Sequence, residues 1–272
     1  MALAAHISNE TAAIIDTGRK RFFPKLWMGV IKEYDEHDSE VWSWDASKYV
    51  EQSDLLASMK QNSHEVSDFH ENAFYFDEHN QIIYLSMAGI DRILKIQYPS
   101  GKVLAEYGNK IYQHKQNDIT STPIDLRSMY ANEYFHNPHG LKFSGDGYFY
   151  LCSGSGMNTG NGGNGYPQIL KLKESGGRIK KVWEFDCRDY VAQQKQNAGG
   201  GGNVVAITDS TLFVSMCLPH NELFIVNERK ELLWSAVSEI YQEQEKTWGP
   251  YPKYRASVIT RAQLEQMIWR ER

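Results

Sequence analysis

GNVVAITDSTLFVSMCLPHNELFIVNERKELLWSAV, residues 202–237, reads as four short strands in two pairs. Apolar and polar residues alternate on both sides of Thr208-Asp209-Ser210, and again on both sides of Asn227-Glu228-Arg229-Lys230. Period-two alternation around a polar turn is the signature of an antiparallel hairpin. The same order appears twice upstream. NAFYFDEHNQIIYLSMAG (72–89) leads into ILKIQYPSGKVLAEYG (93–108), and HGLKFSGDGYFYLCSGSG (139–156) leads into ILKLKESGGRIKKVWEFD (169–186). A further outer hairpin, VIKEYDEHDSEVWSWD, occupies 30–45. Aligning the four outer hairpins superposes Trp42, Leu104, Trp183 and Trp234.

Four antiparallel strands repeated at roughly 40–50 residues, apart from insertions, are the sequence form of a propeller blade. A β-sandwich of unrelated hairpins is the other all-β reading, and the constant strand order argues against it. The expectation is an all-β chain, a β-propeller of about five to six four-stranded blades forming a single domain over 1–272. Four blades are visible. TAAIIDTGRKRFF (11–23) and YPKYRASVI (251–259) would pair to complete the ring, because closure removes exposed edge strands. RAQLEQMIWRER (261–272) carries Leu264, Met267 and Ile268 at helical spacing, which predicts a helical tail over 259–272. Leu55, Leu56 and Met59 suggest a second short helix within 45–61.

Composition agrees with a packed β domain. The chain has 272 residues, 41% hydrophobic and 23% charged, with 16 Tyr, 11 Phe and 7 Trp; such aromatics suit pleated, half-buried surfaces. The net charge of −5 and the lack of a long basic run give no footprint for nucleic acid or an anionic membrane. No apolar stretch reaches transmembrane length, so membrane insertion is not expected. MALAAHISNE shows no secretory leader, which points to the cytoplasm as the sequence stands. Cys152, Cys187 and Cys217 are odd in number and widely spaced, which is not a disulfide framework. Cys152 and Cys217 lie in apolar strand-like runs and are expected to be buried and inert.

Insertions fall at 46–66, 108–135, 156–166 and 187–200, and loops between scaffold strands are where sites are usually built. GSGMNTGNGGNG (154–165) lacks the Lys-Ser/Thr and the strand-to-helix setting of a phosphate-binding loop. Its glycines and asparagines would still expose backbone N–H groups to an anion.

WSWDASKYV (42–50), DFHENAFYFDEHNQIIYLSMAG (68–89), NPHGLKFSGDGYFYLCSGSG (137–156), GGGGNVVAITDSTLFVS (199–215) and YRAS (254–257) resemble the arylsulfotransferase family, as a divergent or truncated member. The resemblance implies sulfuryl transfer from an aryl sulfate to a phenolic acceptor through a histidine. It requires no cofactor, and it would make the compartment periplasmic or extracellular if a leader was removed. It places His70 and His139 as catalytic residues, with Asn72, His136, Asn203 and Arg255 binding substrate. Imidazole is a competent neutral nucleophile, and cationic donors stabilise the charge spread over a transferring sulfuryl group. The arginine that the family carries near its small-residue loop is absent from 153–170.

Two other classes stay open. His70, His139 and His220 would form a three-imidazole site for a divalent metal with an open position, supporting lyase, hydrolase or isomerase chemistry. Alternatively, a non-catalytic propeller would bind a ligand or protein through its loop face. In the enzyme readings the partner is a small molecule, aromatic or anionic. His64 and His114 read as exposed loop residues, and His37 and His79 as turn residues.

Overall fold

The computed structural model describes residues 2–8, 15–16, 21–22, 25–49, 66–108, 135–144, 146–153, 167–175, 177–187, 201–216, 222–251, 254–259 and 261–269. Four four-stranded sheets follow one another along the chain. The first joins Ala2–Ser8, Lys25–Tyr34 and Glu40–Asp45, with Val66–Asp68 running parallel to the start of the long strand. The second is built from Glu71–Asp77, Ile82–Met87, Arg92–Gln97 and Val103–Gly108. The third uses Pro138–Ser144, Tyr148–Ser153, Gln168–Ser175 and Arg178–Asp186, and the fourth Asn203–Thr208, Thr211–Ser215, Glu222–Asn227 and Leu232–Val237. Sheets two to four are antiparallel meanders in sequence order, as the repeated hairpins predict. Four such sheets are present among the described residues, and the first departs from the meander through its parallel strand.

Each pair of neighbouring sheets encloses its own core. Met28, Ile31 and Trp44 of the first sheet meet Ile83, Leu85, Leu94 and Ile96 of the second. Tyr84, Ile93 and Tyr107 meet Phe143, Phe149, Leu170 and Leu172 of the third. Tyr150, Ile169 and Phe185 meet Val204, Leu212, Val214, Phe224 and Val226 of the fourth. Alternate side chains of one strand therefore enter two different cores. This is why Ile82–Met87 is buried at every position while the last strand, Leu232–Val237, is exposed at nearly every position.

A one-residue bulge recurs in the last antiparallel strand of all four sheets. The pairing leaves Val41, Leu104, Val182 and Leu233 without partners, and all four are exposed apolar residues. A bulge at the same place in every outer strand increases local twist. It also makes Ala105, not Leu104, the counterpart of Trp42, Trp183 and Trp234. An alignment without a gap cannot show this, because it superposes the bulge residue Leu104 itself on the three tryptophans.

The residue after the bulge joins one sheet to the next. Trp42 Nε1 donates to Pro99 O at 2.7 Å, in the outer turn of the second sheet. Trp183 Nε1 donates to Glu228 O at 2.8 Å, in the outer turn of the fourth. Between the second and third sheets, where alanine replaces the indole, Glu174 takes over: it accepts from Lys95 Nζ at 2.7 Å, Tyr107 OH at 2.6 Å and Tyr84 OH at 3.1 Å. Burial alone would raise the Glu174 pKa, but these donors hold the carboxyl below its ordinary range.

The ends of the chain are arranged differently from expectation. Residues 254–256 do not pair with 11–23 among the described residues; they cross the starts of the second and fourth sheets instead. A two-stranded ladder joins Glu239–Gln242 to Thr247–Pro250, and a helix spans Arg261–Trp269. Of the segment 45–61, the described part holds a single 3-10 turn at Ala46–Lys48. Cys152 and Cys187 are buried thiols outside any disulfide, and Cys217 lies outside the described residues.

Candidate functional site

The first strands of sheets two, three and four begin alike. A residue with positive φ is followed two places later by a buried polar one. The pairs are His70 (φ 51°) with Asn72, Asn137 (φ 45°) with His139, and Gly201 (φ 91°) with Asn203. Left-handed backbone is uncommon outside glycine, so His70 and Asn137 are held there by their surroundings. Asp91, itself left-handed, fixes the second case: its carboxylate accepts from Asn137 N at 2.5 Å and pairs with His136 Nδ1 at 3.0 Å. Ser153 Oγ clamps the same segment, accepting from His136 N and donating to His136 O. His136 is thus turned to Asp91.

These three first strands lie side by side. Gly140 has φ +60°, and a Cβ there would come within 2.5 Å of Asn203 Cα and 2.6 Å of Gly202 O, so only glycine lets the third and fourth sheets approach so closely. The C-terminal segment then ties the ends together. Gly202 N donates to Tyr254 O at 2.7 Å. Asn203 Nδ2 donates to Ala256 O, and Ala256 N donates back to Asn203 Oδ1, at 2.7 and 2.9 Å. Asn72 Nδ2 donates to Tyr254 OH at 2.7 Å, while Arg255 Nη2 donates to Asn72 O and Oδ1 at 2.8 and 3.0 Å.

Two of the three equivalent polar side chains, Asn72 and Asn203, are therefore engaged by residues 254–256. His139 is not. Its Nδ1 lies 2.7 Å from Asn137 O, and a carbonyl only accepts, so Nδ1 carries the proton. Nε2 is left as a bare lone pair, buried and without a hydrogen-bond partner among the described residues. His139 is 2% exposed. Burial pushes its pKa down to about 4; the neighbouring charges of His70 and Arg255 add to this, and the bond to Asn137 O opposes it. The ring of His70 sits 6.0 Å from that of His139. The result is a neutral acceptor beside an arginine cation.

Of the residues expected at the site, the fold gathers His70, His139, Asn72 and Arg255 and places Asn203 in the clamp. Asp91 and Tyr254 were not anticipated as parts of it. Nothing in the local sequence links Asp91 to residues 136–137, since the contact forms only when two sheets pack. Among the described residues no group of three His, Cys, Asp or Glu gathers as a metal site. His220, the third expected ligand, lies outside the described residues, as do His64 and His114. Among those residues no helix is long and apolar enough to cross a membrane.

No family model matches the sequence, and no curated protein matches it. Solved structures similar to this chain include a candidate 6-phosphogluconolactonase from Bacteroides uniformis, with 12% identity and TM-score 0.44, covering 78% of this chain and 52% of that one. A periplasmic gluconolactonase from Pseudomonas aeruginosa has 15% identity and TM-score 0.42 over 78% and 51%. The β-propeller domain of Swd1 from Myceliophthora thermophila has 10% identity and TM-score 0.39 over 77% and 54%. The chain spans about half the length of each. The expected membership of the arylsulfotransferase family is corrected by these findings: no family model supports it, and these structures carry other names. The physical reason lies in the repeat. The histidine and asparagine strand openings behind the resemblance are a repeated feature of three sheets of this chain, and two of them, Asn72 and Asn203, are tied to residues 254–256.

Proposed function

We propose that the chain is a ligand-binding protein of the β-propeller type, and that the site at His139 takes a small anion carrying a hydroxyl group. Sheets two to four have one strand order and touching first strands, and each sheet interface has its own core; these features support a radial arrangement with first strands innermost. The observation that carries the ligand assignment is the unpartnered, buried Nε2 of a neutral His139. A buried acceptor without a donor is unfavourable by about 1–3 kcal/mol, and a ligand hydroxyl would supply the missing proton. Arg255, whose charge is felt at His139, supplies the attraction for an anionic group.

Binding is favoured over proton-transfer chemistry by the same numbers. A base with a pKa of about 4 is poorly matched to abstracting protons at neutral pH, yet it still accepts a hydrogen bond. The test is calorimetric titration with lactate, glycolate and salicylate, each against its counterpart without the hydroxyl: propionate, acetate and benzoate. The hydroxylated member of at least one pair should bind at least tenfold tighter, because a site built for a hydroxyl leaves its own acceptor unpaired otherwise. His139→Leu should erase that preference, and Arg255→Gln should weaken both members. Equal affinities within every pair, or binding unaffected by both substitutions, would remove the assignment. Elemental analysis of the purified protein gives the metal reading its own trial: stoichiometric zinc or another transition metal bound at His70 and His139 would replace the anion reading.

A further inference from the structure

The indole-to-turn contact that joins neighbouring sheets is left half-made at each end of the array. Trp42 and Trp183 each follow a bulge, are partly buried, and donate to the outer turn of the next sheet. Trp234 follows the same bulge in the last sheet, opposite Ile225 as Trp183 is opposite Lys171. It is 46% exposed, with Leu233 and Val237 exposed beside it. Among the described residues no further four-stranded sheet follows to offer a turn.

The matching turn exists on the first sheet. The Trp183 acceptor, Glu228, sits in a turn where Asn227 N donates to Glu231 O, Lys230 N donates to Asn227 O, and Lys230 has φ 66°. In the first sheet Asp35 N donates to Ser39 O, Asp38 N donates to Asp35 O, and Asp38 has φ 60°. The side chain of the leading residue also repeats: Asn227 Oδ1 accepts from Glu231 N, and Asp35 Oδ1 from Ser39 N. The two turns share these three hydrogen bonds and the left-handed fourth residue. Glu36 O occupies the place of Glu228 O, and no preceding sheet supplies an indole to it among the described residues.

We propose that the occupant of the Trp234 face is a second copy of this chain, its first sheet packing on the fourth sheet of its partner. The Trp234 indole of one copy then donates to Glu36 O of the other, continuing the contact already made twice within the chain. The contact is heterologous, so it either closes into a ring or grows. Two arrays of the four described sheets make eight, within the four to eight blades of closed propellers, and the committed species is a closed dimer. The cross-strand row on that side is Val205, Phe213, Ile225 and Trp234, more apolar than its counterpart Lys142, Tyr150, Lys171 and Trp183 inside the chain; Phe213 is already buried within its own chain, so the part open to a partner is Trp234 with Leu233 and Val237. Ile225 stands where Lys171 pairs with Glu228, so the Glu36 carboxylate would remain in solvent.

The test is sedimentation velocity at about 10 μM protein. The wild-type chain should sediment with the mass of two chains, and Leu233→Asp/Trp234→Gln should sediment as one chain with unchanged far-ultraviolet circular dichroism. A separate trial mixes Glu36→Cys with Trp234→Cys chains and adds a short bismaleimide, with wild type treated alike as background. Cross-linking in the mixture, and in neither variant alone, is the expected result. A monomeric wild type, a dimer indifferent to the double substitution, or cross-linking of Trp234→Cys to itself would each overturn the proposal.

Discussion

Acid should destabilise this protein through His139 in a way that a single substitution removes. In the unfolded chain the imidazole takes up its proton near pH 6.5, whereas in the folded protein it does so only at about 4. Between those values the unfolded state binds more protons, so stability rises with pH. The contribution is complete above pH 6.5 and is lost as pH falls towards 4, with a slope of at most about 1.4 kcal/mol per pH unit and a total of about 3 kcal/mol. His139→Asn is the natural perturbation, since asparagine occupies the equivalent places at 72 and 203. Urea unfolding at pH 7.5 and pH 4.5, at fixed ionic strength, reads the effect. Every other titrating group is shared by the two proteins and cancels. Wild type should lose about 2–3 kcal/mol more than His139→Asn over this interval. An equal loss in both would show that His139 ionises freely in the folded protein, and the neutral buried acceptor would be refuted.

Other substitutions probe the frame around the site. Gly140→Ala should lower the urea midpoint by several kcal/mol equivalent, because the new Cβ meets backbone of the fourth sheet and the φ is left-handed; a change below about 1 kcal/mol would mean the inner strands are not so close. Glu174→Ala should cost about 3 kcal/mol by stranding Lys95 and two tyrosine hydroxyls at the interface of the second and third sheets, measurable by thermal or chemical unfolding. Trp183→Phe keeps the ring but loses the donor to Glu228 O, and should cost about 1 kcal/mol, detected as a shift in denaturation midpoint without a change in m-value.

Strand order and hairpin boundaries were legible in the sequence because period-two alternation and turn chemistry are local signals. Residues 93–108, 169–186 and 223–237 each form the outer hairpin that their alternation predicts. What was not legible depends on neighbours. The bulge residues Val41, Leu104, Val182 and Leu233 look like ordinary strand hydrophobics until the pairing is known. The convergence of His70 and His139 could be read from their places at the openings of two first strands, although His70 stands just before its strand and His139 just inside its own. The task of Asn203 could not: its amide is consumed by Ala256, 53 residues away in sequence. The parallel strand Val66–Asp68 was hidden for a similar reason, since three residues carry too little periodicity to register.

The most direct measurement is the ring nitrogen chemical shifts of His139, followed from pH 7.5 to 4 in ¹⁵N-labelled protein, with and without lactate. At pH 6 the ring should be neutral, protonated at Nδ1 and bare at Nε2, with an Nε2 signal that moves when lactate is added. A ring that titrates near 6.5 and does not respond to lactate would contradict it.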